Sequence, residues 1–419
     1  MQPDEARDFG QVAGSTLRSL TTMVRGAHFA TSDAVHGLIG QAVGPAAAPV
    51  KVISDGVTAG VYAATALGVD LVARAAGQIA AHRLGEGAGD RPSVHDGPAA
   101  HSALAIGLGL RGDTIAREAR SIAADLHVRG AGRRVPLSRE SVAAAFPEAT
   151  SDIVVFLHGL FETEAHWGLA GEERTLYPDR LHTDLGLTPV LIRFNTGLRI
   201  SDNGAVLDQL LSELVAAWPV PVRRIVLIGH SMGGLVLHSA LAIAGAAAES
   251  RPASEDAEWL PLVSDTVTLG TPHDGSPIAR GVAAAANALD RSESSRWATD
   301  LLRLRSGGIR DLEHGNVVAQ DWACHPDDSG DRRTHPMPAD DISHYAVVAV
   351  TTDGVLPAHL SDLVGDFVVP AASARHSGSA LHVRRFRDDQ VAVVPRVGHL
   401  GLLNSEAAYE QMRTWLSGS

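Results

Sequence analysis

Cysteine is almost missing from this chain. Cys324 is the only one in 419 residues, so no internal disulfide framework can form and stability must come from a packed core. The lone thiol reads as inert. Positive charge is scarce too: 35 Lys and Arg face 48 Asp and Glu, the formal net charge is -13, and Lys51 is the single lysine. The deficit is uneven, because residues 1–150 carry 14 basic and 14 acidic side chains, leaving 21 against 34 for the remainder. Nucleic acid is therefore excluded as an expected partner. A long uninterrupted apolar run is also lacking. The most apolar stretch, Val52 to Ala81, contains Asp55, Asp70 and Arg74, so no membrane-spanning helix is expected. The start, Met1-Gln-Pro-Asp-Glu-Ala-Arg-Asp8, lacks the basic start and apolar run of a secretion signal. A cytoplasmic location is the expectation, with peripheral membrane contact through the N-terminal helices left open.

What remains is material for a large core: 45% of the residues are apolar, enough for one large domain or two. Residues 1–125 are expected to form a helical region. Val35, Leu38, Ile39, Ala42 and Val43 follow the spacing of one helical face, and Gly44-Pro45 ends that helix. A second helix is expected over about Ser54–His82, then a loop from Arg83 to Pro98. A third follows Asp113, with Ile115, Ala119, Ile122 and Leu126 on one side. Leu126 to Leu137 resembles a short hairpin that opens a second domain, 126–419.

From Asp152 the pattern changes to strands alternating with helices, which predicts an α/β architecture with a mainly parallel, doubly wound sheet. The strands fall at Ile153–Leu157, Pro189–Phe194, Arg224–Ile228, Thr266–Leu269, Tyr345–Val350 and Val391–Val394. The stretch from about 273 to 344 is too long for a connector. With helical pieces near Ile278–Leu289 and Ser295–Leu304, it reads as a lid insertion.

Arg224-Ile-Val-Leu-Ile-Gly-His-Ser-Met-Gly-Gly-Leu-Val-Leu237 is a buried strand turning into a helix around Ser231, a nucleophile elbow. Gly229 and Gly233 let strand and helix approach while a strained turn holds the hydroxyl clear. A serine hydroxyl needs a base to take its proton, a carboxylate to orient that base, and donors for the oxyanion. On such a topology the order is serine, acid, histidine. Asp366, on the loop after Tyr345–Val350, is the candidate acid, with Asp353 and Asp362 as rivals. His399, after the last strand, is the candidate base; His376 and His382 precede that strand and fit less well. The oxyanion donors are expected at the N–H groups of Met232, where the helix begins, and of Leu160, with Phe161 as its rival.

Phe161 and Thr271 are also expected to touch substrate, Thr271 with Pro272 and His273 on the pocket floor. His158 is read as bracing the loop before Leu160, and His230 as structural. His325, His335, His344, Asp327 and Asp328 repeat no ligand spacing, so neither metal nor cofactor is expected.

The motifs Phe156-Leu-His-Gly-Leu160, Gly229-His-Ser-Met-Gly-Gly234, Leu269-Gly-Thr-Pro-His-Asp-Gly-Ser276, Gly365-Asp-Phe-Val-Val-Pro370 and Val397-Gly-His399 occur in this order. In them the chain resembles bacterial lipases and esterases of the α/β-hydrolase fold, and more narrowly the group related to glycosylphosphatidylinositol inositol-deacylases. The resemblance covers about residues 135–417. It implies Ser231, Asp366 and His399 as a triad, Leu160 and Met232 as oxyanion hole, and hydrolysis of a small-molecule or lipid ester through an acyl-enzyme. Phe367 departs from the small residue common in lipases. Arg193-Phe-Asn-Thr-Gly197 and Arg305-Ser-Gly-Gly-Ile-Arg-Asp-Leu312 resemble motifs of one bacterial branch whose substrate is unassigned. Thioesterase, acyltransferase or amidase activity would use the same machinery. From another class, a non-catalytic lipid- or partner-binding protein could keep the fold and work through its N-terminal helices.

Overall fold

The computed structural model describes residues 2–15, 71, 73–82, 98–168, 176–250, 259–276, 306–323, 333, 341–351, 365–366, 368–376 and 386–418. The helices expected around Val35–Val43, Ile278–Leu289 and Ser295–Leu304 lie outside these residues, as do Cys324, Asp353, Asp362, Phe367 and His382. The chain divides into two compact units. One comprises Met1–Gly97, Asp113–Ala123 and Gly281–Arg305, the other Pro98–Gly112, Ala124–Arg280 and Ser306–Ser419.

In the first unit, helix α1 (residues 3–15) and helix α2 (residues 73–82) approach closely through Gly10 and Gly77. A Cβ on Gly10 would lie 2.7 Å from the Cα of Gly77, so any side chain would push the helices apart. Ser121 bonds Asp8 Oδ2 at 2.6 Å.

Helix α3 (Pro98–Glu118) starts fifteen residues before the helix expected after Asp113 and stops before Ile122 and Leu126. Gly107, Gly109 and Gly112 lower its intrinsic propensity, which hid it from a reading based on periodicity. Arg111 takes φ -139° and ψ 24° and kinks it. Its first part, Pro98–Gly112, belongs to the sheet-bearing unit and its remainder to the other.

That unit is built on eight strands: β1 (His127–Gly130), β2 (Arg133–Arg134), β3 (Asp152–Leu157), β4 (Thr188–Arg193), β5 (Arg224–His230), β6 (Val263–Leu269), β7 (Ser343–Val350) and β8 (Val391–Pro395). Their order is β2-β1-β4-β3-β5-β6-β7-β8. The β1–β2 hairpin is antiparallel and β1 pairs antiparallel with β4; every other pairing is parallel.

Helices α4 (Arg139–Ala145), α5 (Tyr177–Leu185), α6 (Ile200–Ala217), α7 (Met232–Ser250) and α10 (Glu406–Ser417) accompany the sheet, with two short helices, α8 (Gly307–Asp311) and α9 (Ala371–Ala374), in its loops. A sheet covered on both faces needs strands that are apolar throughout. Ile153, Val155, Leu157, Ile225 and Leu227 pack with Leu207 and Leu211 of α6 and Leu235 of α7. Their alternates Val154, Phe156, Val226 and Ile228 pack with Leu181 of α5 and with Tyr409 and Met412 of α10.

After His399 the chain forms a 3₁₀ turn, His399–Asn404, before α10. Ser405 then caps α10 by accepting the Ala408 N–H, and Leu400 in the preceding turn is exposed. Among the described residues, no helix is long and apolar enough to cross a membrane.

Candidate active site

Strand β5 ends at His230, and Ser231 takes φ +51°, a left-handed conformation uncommon for a residue with a side chain. Two backbone bonds hold it there: Ser231 N–H donates to Leu269 O at 2.9 Å, and Gly234 N–H donates to Ser231 O at 3.1 Å. The turn closes only because its glycines are bare. A Cβ on Gly229 would come within 2.6 Å of Gly233 C, and one on Gly233 would strike Leu157 O and lie 2.7 Å from His158 O. The elbow is thereby pressed onto the end of β3. Ser231 sits beside Gly159, where a Cβ would approach its own Cβ to 3.0 Å. Thr271, expected on the pocket floor, packs against Gly234 in the first turn of α7 and is buried.

The acid candidate is fixed by its own loop. Thr351 N–H bonds Gly365 O at 2.9 Å. Asp366 Oδ1 accepts the N–H groups of Val368 and Val369 at 2.9 and 2.7 Å, and Oδ2 lies 2.6 Å from His399 Nδ1. A carboxylate acceptor at that distance places a proton on Nδ1 and leaves Nε2 as the basic nitrogen. The carboxylate is buried and the imidazole nearly so. Gly270 follows the residue that holds the Ser231 amide. A Cβ there would be 3.1 Å from Asp366 Oδ2 and 3.3 Å from His399 Nδ1, which ties the serine's anchor to the Asp–His pair.

The loop after β3 turns sharply at Gly159–Phe161, with Phe161 at φ +62°. Among the described residues, neither Leu160 N–H nor Met232 N–H donates to a protein group. Met232 directly follows Ser231, and Leu160 follows Gly159, which lies beside the serine. Phe161 is 38% exposed, and its ring covers Gly109 of α3. Ile106 and Leu110, four residues apart on α3 and so on one of its faces, are also exposed.

Three further histidines have distinct partners. His158 Nδ1–H donates to Gly159 O at 3.0 Å, and Nε2 accepts Phe194 N–H at 3.3 Å. It is a buried neutral imidazole, lowered to about 4 by burial above all, and it braces the turn. His230 has acceptors at both nitrogens: Glu162 at Nδ1, 2.9 Å from Oε1, and His399 O at Nε2, 3.2 Å. Burial opposes its charge, but the Glu162 carboxylate, with the His399 carbonyl and Asp366, raises its pKa above the ordinary histidine value. His376 pairs with Asp274 at 3.0 Å, away from the Asp366–His399 contact.

Glu162 was not legible in the sequence. Burial alone would raise its carboxyl, yet the charge and hydrogen bond of His230 and the Gly159 N–H, 2.7 Å from Oε2, hold it at about 2. Its partner lies 68 positions away; the only local signal is a carboxylate three residues after Gly159, the spacing of a side chain that closes a turn onto a backbone amide. His344, considered as a metal ligand, bonds Thr266 Oγ1 at 2.7 Å. No group of three His, Cys, Asp or Glu able to hold a metal occurs among the described residues.

The profile of the Alpha/beta hydrolase family matches residues 154–412. A search of curated proteins gave no match. Among solved structures, the chain is similar to mature lipase BlEst2 of Bacillus licheniformis, at 18% identity over 64% of this chain and 91% of that one, with a TM-score of 0.38. It is also similar to lipase 1 from Pelosinus fermentans, at 13% identity over 64% and 98%, with a TM-score of 0.36. A metagenomic carboxyl esterase, MGS0156, gives 17% identity over 68% and 78%, with a TM-score of 0.35.

Proposed function

The chain belongs to the alpha/beta hydrolase family, and on that premise we propose that it is a serine ester hydrolase of the lipase and carboxylesterase kind. The motif order further supports reading it with the group related to glycosylphosphatidylinositol inositol-deacylases. The observation that carries the reading is the 2.6 Å contact between His399 Nδ1 and Asp366 Oδ2, on loops that share Gly270 with the anchor of a strained serine.

In this mechanism His399 Nε2 takes the proton of Ser231 as Oγ attacks the ester carbonyl. The carbonyl π pair moves onto oxygen, where the N–H groups of Leu160 and Met232 receive it; each such donor stabilises the transition state by about 2.7–4 kcal/mol. Collapse breaks the ester C–O bond, and the imidazolium returns its proton to the departing alkoxide. Water then attacks the acyl-enzyme by the same route and frees the acid and Ser231. The Asp366 carboxylate holds the tautomer and balances the imidazolium charge. Phe161, exposed in the turn after β3 and covering Gly109 of α3, favours an ester with an apolar acyl chain.

A panel of p-nitrophenyl esters of increasing acyl length tests this. Wild type should release p-nitrophenol, and Ser231→Ala should lose all but background. Equal turnover by both would end the reading.

A further inference from the structure

We propose that Glu162 and the imidazolium of His230 form a buried positioning pair, which sets the Gly159–Phe161 turn against the loop that carries His399. The inference rests on the hydrolase reading above and adds two residues that touch neither substrate nor reacting atoms.

Three contacts meet at the pair. Glu162 Oε2 accepts Gly159 N–H at 2.7 Å, which holds the His158–Gly159 peptide at the start of the turn. His230 Nδ1–H donates to the Glu162 carboxylate, 2.9 Å from Oε1 and 3.1 Å from Oε2. His230 Nε2–H donates to the carbonyl of His399 at 3.2 Å. The two side chains together therefore link the Gly159–Phe161 turn to the backbone of His399. The rings of His230 and His399 lie 4.8 Å apart, and Trp167 stands edge-on to His230 at 6.4 Å. The titratable groups facing the pair are His158, on the Glu162 side, and Asp366 and His399, on the His230 side.

The pairing has a chemical logic. With both ring nitrogens protonated, each bond has a donor and an acceptor. Once His230 loses a proton, one nitrogen presents a lone pair to a carboxylate or a carbonyl, and one of the two links fails. Turnover should therefore fall on the alkaline side as His230 deprotonates. Its pKa lies above the ordinary histidine value. Glutamine at 162 keeps the geometry without the charge: its carbonyl accepts Gly159 N–H, its amide donates to Nδ1, and neutral His230 keeps Nε2–H for His399 O.

The test uses full-length wild type, Glu162→Ala and Glu162→Gln. Kinetics on one p-nitrophenyl ester are measured across pH 6 to 10, and the His230 imidazole is followed by ¹⁵N NMR. Misplacement of catalytic groups by about 1 Å costs on the order of 10²-fold, so Glu162→Ala should lose about 10² in kcat with KM within about threefold. Glu162→Gln should stay within about threefold of wild type at neutral pH and lack the alkaline fall. Wild-type His230 should show two protonated nitrogens, and Glu162→Gln one. Should Glu162→Ala fail to fold, the pH profile and nitrogen shifts of Glu162→Gln decide. Unchanged kcat in Glu162→Ala, or an alkaline fall retained in Glu162→Gln, would overturn the pair and leave the hydrolase reading intact. Turnover retained in Ser231→Ala would sink that reading, while the nitrogen shifts would still judge the pair.

Discussion

At the scale of single residues, the sheet unit holds its charges in buried pairs close to the site. Glu164 accepts Arg193 through Nε and Nη2 at 2.5 and 2.6 Å, and Arg129 Nε at 3.0 Å. Burial would raise this carboxyl above its ordinary 4.5, but the Arg193 bond and charge, with Arg129 and His158, hold it at about 2. A carboxylate depressed in the fold contributes stability that is complete above its unfolded value and lost as pH falls through the folded one. For Glu164 that window runs from about 4.5 down to about 2, and the linkage is on the order of 3 kcal/mol. Glu164→Gln should be less stable than wild type at pH 7 by about 3–5 kcal/mol, because Arg193 is left buried without its charge partner. That gap should narrow between pH 5 and pH 2.5. Urea unfolding at several pH values measures it, and a constant gap would mean that Glu164 is not ionised in the fold.

At the scale of elements, α3 and the elbow show opposite uses of glycine. In the elbow the bare positions let backbone meet backbone. In α3 they admit side chains: a Cβ at Gly112 would strike Asn195 Oδ1, whose Nδ2 donates to Gly112 O at 3.0 Å, and one at Gly109 would strike the Phe161 ring. A ring end can swing aside where a carbonyl cannot. Gly109→Ala should displace Phe161, change KM for long-chain p-nitrophenyl esters by about 3–10-fold, and leave kcat within about twofold. A fall in kcat at constant KM would assign the helix to the oxyanion turn instead.

The same contrast explains what the sequence disclosed. The parallel strands announce themselves because burial on both faces demands unbroken apolar runs, and β3, β5 and β7 fall within a few residues of the expected positions. The serine turn is legible for the same reason, since its glycines are local. Helix α3 is not, because its glycines oppose helix propensity and make sense only against Phe161 and Asn195. Nor is Glu162, whose meaning depends on a histidine brought near by the sheet. Arg193-Phe-Asn-Thr-Gly197 and Ser306–Leu312, unexplained as sequence, pack together: Gly308 N–H donates to Gly197 O at 3.2 Å, and Asp311 accepts Arg199 at 2.6 Å and Ile200 N–H at 2.8 Å.

At the scale of the whole molecule, parallel pairing gathers the carboxyl ends of β3, β5, β6, β7 and β8 on one edge of the sheet. Leu160, Ser231, Gly270, Asp366 and His399 all sit just beyond those ends, although more than two hundred residues separate the first from the last. Such an edge is where α/β sheets place ligands. Long-range topology thus assembles what no local segment holds: a strained serine turn and an imidazole bonded to a distant carboxylate, which the proposed function reads as a nucleophile and its oriented base. The rate at which a fluorophosphonate modifies the protein reads that activation without assuming any natural substrate. Peptide mapping should find the adduct on Ser231, and Asp366→Asn, which forces the wrong histidine tautomer, should slow labelling by about 10⁴-fold. An adduct on another residue, or equal labelling rates in wild type and Asp366→Asn, would contradict it.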